Sequence, residues 1–144
     1  MPDTFPTDPD CVFCRIVAGD IPCHRVYEDG HVLAFLDVGP LSRGHCLVIP
    51  KGHWETLDRV PSEVAAAIGA VLPRLARAVC AATGTAAYNV LQNNGEPAHQ
   101  VIKHVHFHII PRTANAGLGI TWPAGKLEQD EAQTLKQAIV ERLV

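Results

Sequence analysis

His104-Val105-His106-Phe107-His108-Ile109-Ile110-Pro111 is the stretch on which the reading of this chain turns. Side chains on a strand alternate between faces, so His104, His106 and His108 share one face while Val105, Phe107 and Ile109 point into a core. Three imidazoles at about 6.6–7 Å intervals are costly to bury without partners. An exposed polar face is more cheaply made from Lys, Thr or Glu. Two functional readings follow: the histidines bind metal, or they act on phosphate. Imidazole serves near neutral pH as nucleophile, proton shuttle or hydrogen-bond donor. The chain has no G-x-x-x-x-G-K-[ST] loop, so a nucleotide is not held in P-loop fashion.

Outward from this strand the pattern is that of one domain. Lys103–Pro111 is predicted as a strand, preceded by turn material at Asn93-Asn94-Gly95-Glu96-Pro97 and another strand at Ala86–Gln92. Val64, Ile68, Val71, Leu72, Leu75 and Val79 recur at helical spacing between Pro61 and Gly84, and Pro73 should kink that helix. His24–Tyr27 and Val32–Leu36 read as a hairpin joined through Asp29-Gly30, and His45–Pro50 as a further strand. Cys11–Ala18 reads as a short helix or turn. The last amphipathic helix, about 128–143, carries Leu135, Ile139 and Leu143. Strand pairs with two intervening helices predict an α+β architecture on an antiparallel sheet. Residues 1–10, with three prolines, read as a flexible arm ahead of a domain over 11–144.

Composition narrows the function classes. The chain has 144 residues, 47% hydrophobic and 19% charged, with a formal charge of −3, so no basic field exists to hold a nucleic-acid backbone. No run approaches eighteen apolar residues, and the N-terminus lacks the basic and apolar regions of a secretory signal, so the expectation is a cytoplasmic protein without a membrane partner. Five cysteines are an odd number and fit a reducing compartment better than a disulfide framework. Cys11 and Cys14 form a C-x-x-C pair whose alternatives are a redox pair, two buried thiols or half of a zinc site, the last favoured because two Cys and two His close a tetrahedral shell. Cys23, Cys46 and Cys80 stand alone.

Residues 104–110 resemble the H-φ-H-φ-H-φ-φ signature of the histidine triad (HIT) family. Cys11–Pro22, Ala34-Phe35-Leu36-Asp37-Val38, Gly44–Lys51 and Asn93-Asn94-Gly95 resemble other family segments in the same order, and Trp122-Pro123-Ala124-Gly125 resembles the tail of its Hint-like purine-nucleotide branch. The resemblance implies a HIT fold: a five-stranded antiparallel sheet with two main helices, dimerised into a ten-stranded sheet through the long helix and a strand. It further implies cleavage of a nucleoside 5′-phosphoramidate or related purine nucleoside monophosphoryl bond through a covalent nucleotidyl-His106 intermediate, with an AMP-type product. The alternatives are a dinucleoside polyphosphate hydrolase and a nucleotide-binding scaffold with weak turnover.

The same resemblance distributes roles. His108 would donate to phosphoryl oxygens, Asp37 would hold the ribose hydroxyls, and Phe13, Ile16, Ile21, Phe35 and Val38 would line a purine slot. Asn93, His99, Gln100 and Val101 would contact the nucleotide. Cys11, Cys14, His53 and His104 would hold a structural zinc with no open position. Trp122 would shape the pocket across the dimer, while His45 is either part of the catalytic face or structural. Two positions depart from the family: His99 stands where a glycine is usual, and Val101 where Ser or Thr is usual, so leaving-group preference is left open.

Overall fold

The computed structural model describes residues 4–143. Its elements in order are α1 (Val12–Val17), β1 (Arg25–Glu28), β2 (Val32–Leu36), β3 (Cys46–Pro50), α2 (Ser62–Thr83), β4 (Ala87–Gln92), β5 (Phe107–Arg112) and α3 (Gln129–Arg142), with 3-10 turns at Leu57–Arg59 and Glu96–Ala98. The five strands form one antiparallel sheet in the order β1-β2-β3-β5-β4.

The sheet is covered on both faces, which explains why β2 and β3 read as continuous apolar runs rather than alternating ones. On one face Val32, Ala34, Cys46, Val48 and Ile109 meet Val64, Ile68, Val71, Leu75 and Val79 of α2. On the other, Leu33, Phe35, Leu47 and Ile49 meet Cys11, Phe13, Cys14 and Ile16 of α1. Burying a side chain of this size contributes about 1.5–3 kcal/mol. The helix α2 is long and apolar enough by composition to cross a bilayer, but its apolar stripe lies on the sheet. It ends at Gly84, whose φ of 67° accommodates the left-handed turn that closes the helix.

The helix α2 continues through Pro73, from Ser62 to Thr83, and two expectations elsewhere are corrected by the structure. Pro73 lies on the exposed side, where water can satisfy the Gly69 carbonyl that its missing N–H leaves behind. The last strand begins at Phe107 rather than Lys103. Its final pair with β3 is Val48–Phe107, and beyond it Val105 N–H donates to the Trp54 carbonyl, 2.8 Å away in the loop after β3. His104 and His106 therefore precede the ladder and only His108 lies within it. Of the arm expected over residues 1–10, residues 1–3 lie outside the described residues. The next part is docked rather than loose: Phe5 packs edge-on against Trp54 at 6.1 Å, and the Pro6 carbonyl accepts the His53 N–H at 2.7 Å.

Candidate active site

The α1 face of the sheet carries a cavity of about 630 Å³, a size suited to a small organic ligand. It crosses the sheet. Phe35 and Asp37 come from β2 and its end, His45 and Leu47 from β3 and its start, His106 and His108 from β5 and the residues before it, and Leu91 and Asn93 from β4 and its end. Phe13 and Ile16 of α1 close one side, because the apolar face of that short helix is pinned on Phe35 and Leu47.

His106 is 6% exposed at the floor of this cavity. Its Nδ1 lies 2.7 Å from the His104 carbonyl. A carbonyl only accepts, so Nδ1 carries the proton and Nε2 keeps a bare lone pair. Phe13 stands edge-on to the ring at 5.2 Å and fixes its plane. Burial pushes the His106 pKa down and so favours the neutral, nucleophilic form; the His104 carbonyl and the Asp37 charge oppose this.

A second chain of bonds sets the proton on His108. The Leu41 N–H donates to His45 Nδ1 at 3.0 Å, so the neutral His45 ring must hold its proton on Nε2. That nitrogen lies 2.9 Å from His108 Nδ1, which therefore accepts and leaves His108 with Nε2–H as a donor. Burial lowers the His45 pKa, and His108 is pushed down to about 4 by burial, then by the His106 and His45 rings. His45 Nε2 also lies 3.5 Å from Asp37 Oδ2. With His45 neutral and its proton committed to His108, that approach is not an ion pair. Asp37 is anchored by the Gly39 N–H at 2.8 Å on Oδ1.

Beside the cavity, Cys11, Cys14, His53 and His104 bring one ligand atom each within 4.8 Å of one another. An ion bound tetrahedrally at about 2.3 Å to sulfur and about 2.05 Å to nitrogen separates S and N by about 3.6 Å and two N by about 3.3 Å. The observed separations are 3.5 Å for Cys11 Sγ–His104 Nδ1, 3.4 Å for Cys14 Sγ–His53 Nδ1, 3.6 Å for Cys14 Sγ–His104 Nδ1 and 3.3 Å for His53 Nδ1–His104 Nδ1. The four residues fit a four-coordinate metal. His104 Nε2–H donates to the Pro50 carbonyl at 2.9 Å, turning Nδ1 towards the sulfurs. Burial raises the Cys11 thiol, against the Cys14 and Phe13 N–H groups that lower it, and a bound cation would favour its thiolate form.

Of the residues expected to meet a nucleotide, Phe13, Ile16, Ile21, Phe35, Asp37, Val38, Asn93, His99, Val101, His106 and His108 line the cavity. Val38 is 88% exposed and sits on the rim rather than in a slot. Gln100 is the exception. Its side chain is turned inward and buried, spending both donors on the Glu55 and Ile102 carbonyls at 2.6 and 3.1 Å and accepting the Gly95 N–H at 2.7 Å. Sequence reasoning did not find Leu47 and Leu91. Both are cross-strand partners of His108, a fact of register that spacing along the chain does not carry.

The described structure is that of a histidine triad protein, and the comparisons agree. The HIT domain family model matches residues 18–115. The chain is 46% identical over 134 residues to an adenosine 5′-monophosphoramidase of Schizosaccharomyces pombe, covering 92% of this chain and 98% of that one. A crystal structure of a HIT family member from Bacillus subtilis superposes with a TM-score of 0.89 at 41% identity, covering 94% and 98%. A zinc-bound histidine triad family protein from Mycobacterium smegmatis does so with a TM-score of 0.70 at 37% identity, covering 92% and 94%. This chain belongs to the HIT family.

Proposed function

We propose that this chain hydrolyses nucleoside 5′-phosphoramidates, with a purine nucleoside monophosphate as product. The observation that carries the reading is the hydrogen bond from His106 Nδ1 to the His104 carbonyl, which leaves a bare Nε2 facing a nucleotide-sized cavity. The phosphoramidase activity in the name of the fission-yeast relative supports it. His106 Nε2 attacks the α-phosphorus, the bond to the amine breaks, and a nucleotidyl-His106 forms. Water then attacks the same phosphorus and returns the electron pair to Nε2, so one hard step becomes two easier ones. His108 Nε2–H stabilises charge on the phosphoryl oxygens. Asp37 accepts from the ribose hydroxyls, Phe13, Ile16, Ile21 and Phe35 hold the base, and Val38, Asn93 and Val101 border the opening.

The metal in this reading is zinc, held by Cys11, Cys14, His53 and His104, and the zinc-bound mycobacterial relative supports that choice. With four protein ligands it would supply structure and no activated water. The functional unit would be a homodimer. The outer strand β4 has one open edge, and its Tyr88 and Val90 are about half exposed beside α2. That none of the five cysteines is joined in a disulfide fits a reducing, cytoplasmic setting.

The test is intermediate trapping. Rapid quench into alkaline denaturant, which preserves a P–N bond, of the parent with adenosine 5′-phosphoramidate labelled at phosphorus is expected to give label on protein, and His106→Ala none. Equal labelling of both chains would refute His106 as nucleophile. A kcat/KM for diadenosine polyphosphates above that for the phosphoramidate would move the chain to the alternative hydrolase class.

A further inference from the structure

The proposed hydrolysis needs a proton that His106, His108 and Asp37 cannot give. An amine leaves phosphorus only as a protonated species, so an acid must meet the departing nitrogen. His106 holds its one proton against the His104 carbonyl. His108 is neutral, with its single proton on Nε2, and surrendering it would leave an imidazolate. The chain behind it offers no replacement, because it ends at a backbone donor, the Leu41 N–H. Asp37 takes the Gly39 N–H on Oδ1, and its part in this reaction is to accept from the ribose hydroxyls rather than to give a proton. Cys23 lines the far side, packed with Ile21 against the α1 cluster. Val101 presents an apolar side chain that is 72% exposed and has no proton to give.

One titratable ring remains at the cavity mouth. His99 lines the cavity, is exposed, and its ring makes no hydrogen bond among the described residues. It shares the cavity with His108, on whose pKa it adds a minor downward push behind burial and the His106 and His45 rings. Its backbone is unusual: φ is 70° and ψ 33°, and it is the one non-glycine residue with positive φ among the described residues. A side chain in that region costs roughly 1–2 kcal/mol over glycine. The Asn93 side chain helps to hold it by donating to the His99 carbonyl at 3.3 Å. Direction completes the case. Displacement at phosphorus is roughly in line, so a nucleophile at the buried floor sends the leaving group outward, to the rim where His99 and Val101 stand.

On the hydrolase reading above, we infer that His99 is the general acid for the leaving group and suits this site to amines. In the first step the His106 Nε2 lone pair forms the N–P bond, the P–N bond breaks with its electron pair going to the amine nitrogen, and the His99 imidazolium gives that nitrogen its proton. In the second step neutral His99 takes a proton from the attacking water, the new P–O bond forms, and the His106–P pair returns to Nε2. Both protons balance over the cycle.

The test compares two adenosine 5′-phosphoryl substrates, an alkyl phosphoramidate and a 4-nitrophenyl phosphodiester whose phenolate departs without a proton. His99→Asn and His99→Gly both tolerate the left-handed backbone, so the fold is kept. The ratio of kcat/KM for amidate over nitrophenyl ester is expected to fall about 100-fold in both variants, within the usual range for general acid catalysis. An unchanged ratio overturns the role of His99 while leaving the hydrolase intact. A parent that turns over neither substrate and forms no adduct overturns both readings.

Discussion

Removing His45 tests whether the hydrogen-bond chain behind His108 matters to the chemistry. The His45 side chain is 3% exposed and makes two bonds, one from the Leu41 N–H and one to His108 Nδ1. At about 1 kcal/mol net for each, and allowing for a partly hydrated gap, His45→Ala should cost about 2–3 kcal/mol of stability. For a chain of this size that is a fall in Tm of about 4–12 °C. For catalysis, losing the oxyanion donor itself by His108→Ala should cost about 10²–10³ in kcat. Losing only its orienting partner should cost about 10–100-fold. The two act as one unit, so the double variant His45→Ala/His108→Ala should be no slower than His108→Ala alone. Single-turnover rates with saturating adenosine phosphoramidate give all four corners of the cycle. If the two losses multiply, His45 acts on something other than His108 and the proton assignment made here is wrong.

Three further outcomes follow from the same coordinates. Cys14→Ser should reduce bound zinc, read by elemental analysis of protein purified without added metal, from about one per chain to a small fraction, with a clear fall in Tm; undiminished metal would remove Cys14 from the cluster. His108 is held near 4, with His45 and His106 also lowered, against an ordinary value near 6.5. The unfolded chain therefore binds more protons between about pH 4 and 6.5, so the contribution of these groups is whole above about 6.5 and is lost as pH falls towards 4. A urea midpoint that does not drop between pH 7 and 5 contradicts this. Gln100→Leu should destabilise by about 2–3 kcal/mol, by stranding the Glu55 and Ile102 carbonyls and the Gly95 N–H; a change in nucleotide affinity alone would return Gln100 to the cavity.

Much of the site was legible before the coordinates because local alternation survives even where strand pairing does not. His106 and His108 reach one cavity although His106 precedes the ladder, and the Asp29-Gly30 turn falls where the sequence places it, with Asp29 Oδ1 accepting the His31 and Val32 N–H groups at 2.8 Å. The grouping of Cys11, Cys14, His53 and His104 was legible only by resemblance. Cys11 and His104 are 93 positions apart, and nothing in their spacing says that α1 lies across the sheet. Gln100 was misjudged for a related reason: adjacency to His99 and Val101 suggests a shared role, yet consecutive residues at a tight turn point in opposite directions. The orienting function of His45 depends on which nitrogen faces which neighbour, and that is geometry alone.

His104 serves two masters with one residue: its ring belongs to the cluster with Cys11, Cys14 and His53 while its main-chain oxygen grips the His106 imidazole. On the mechanism proposed above and with zinc bound, an oxidant or chelator acting on that cluster would reach the reaction from behind, by slackening the residue on which His106 leans. Vulnerability of this enzyme to thiol chemistry would then be inherited from its scaffold, with no reactive cysteine needed among the groups that touch substrate.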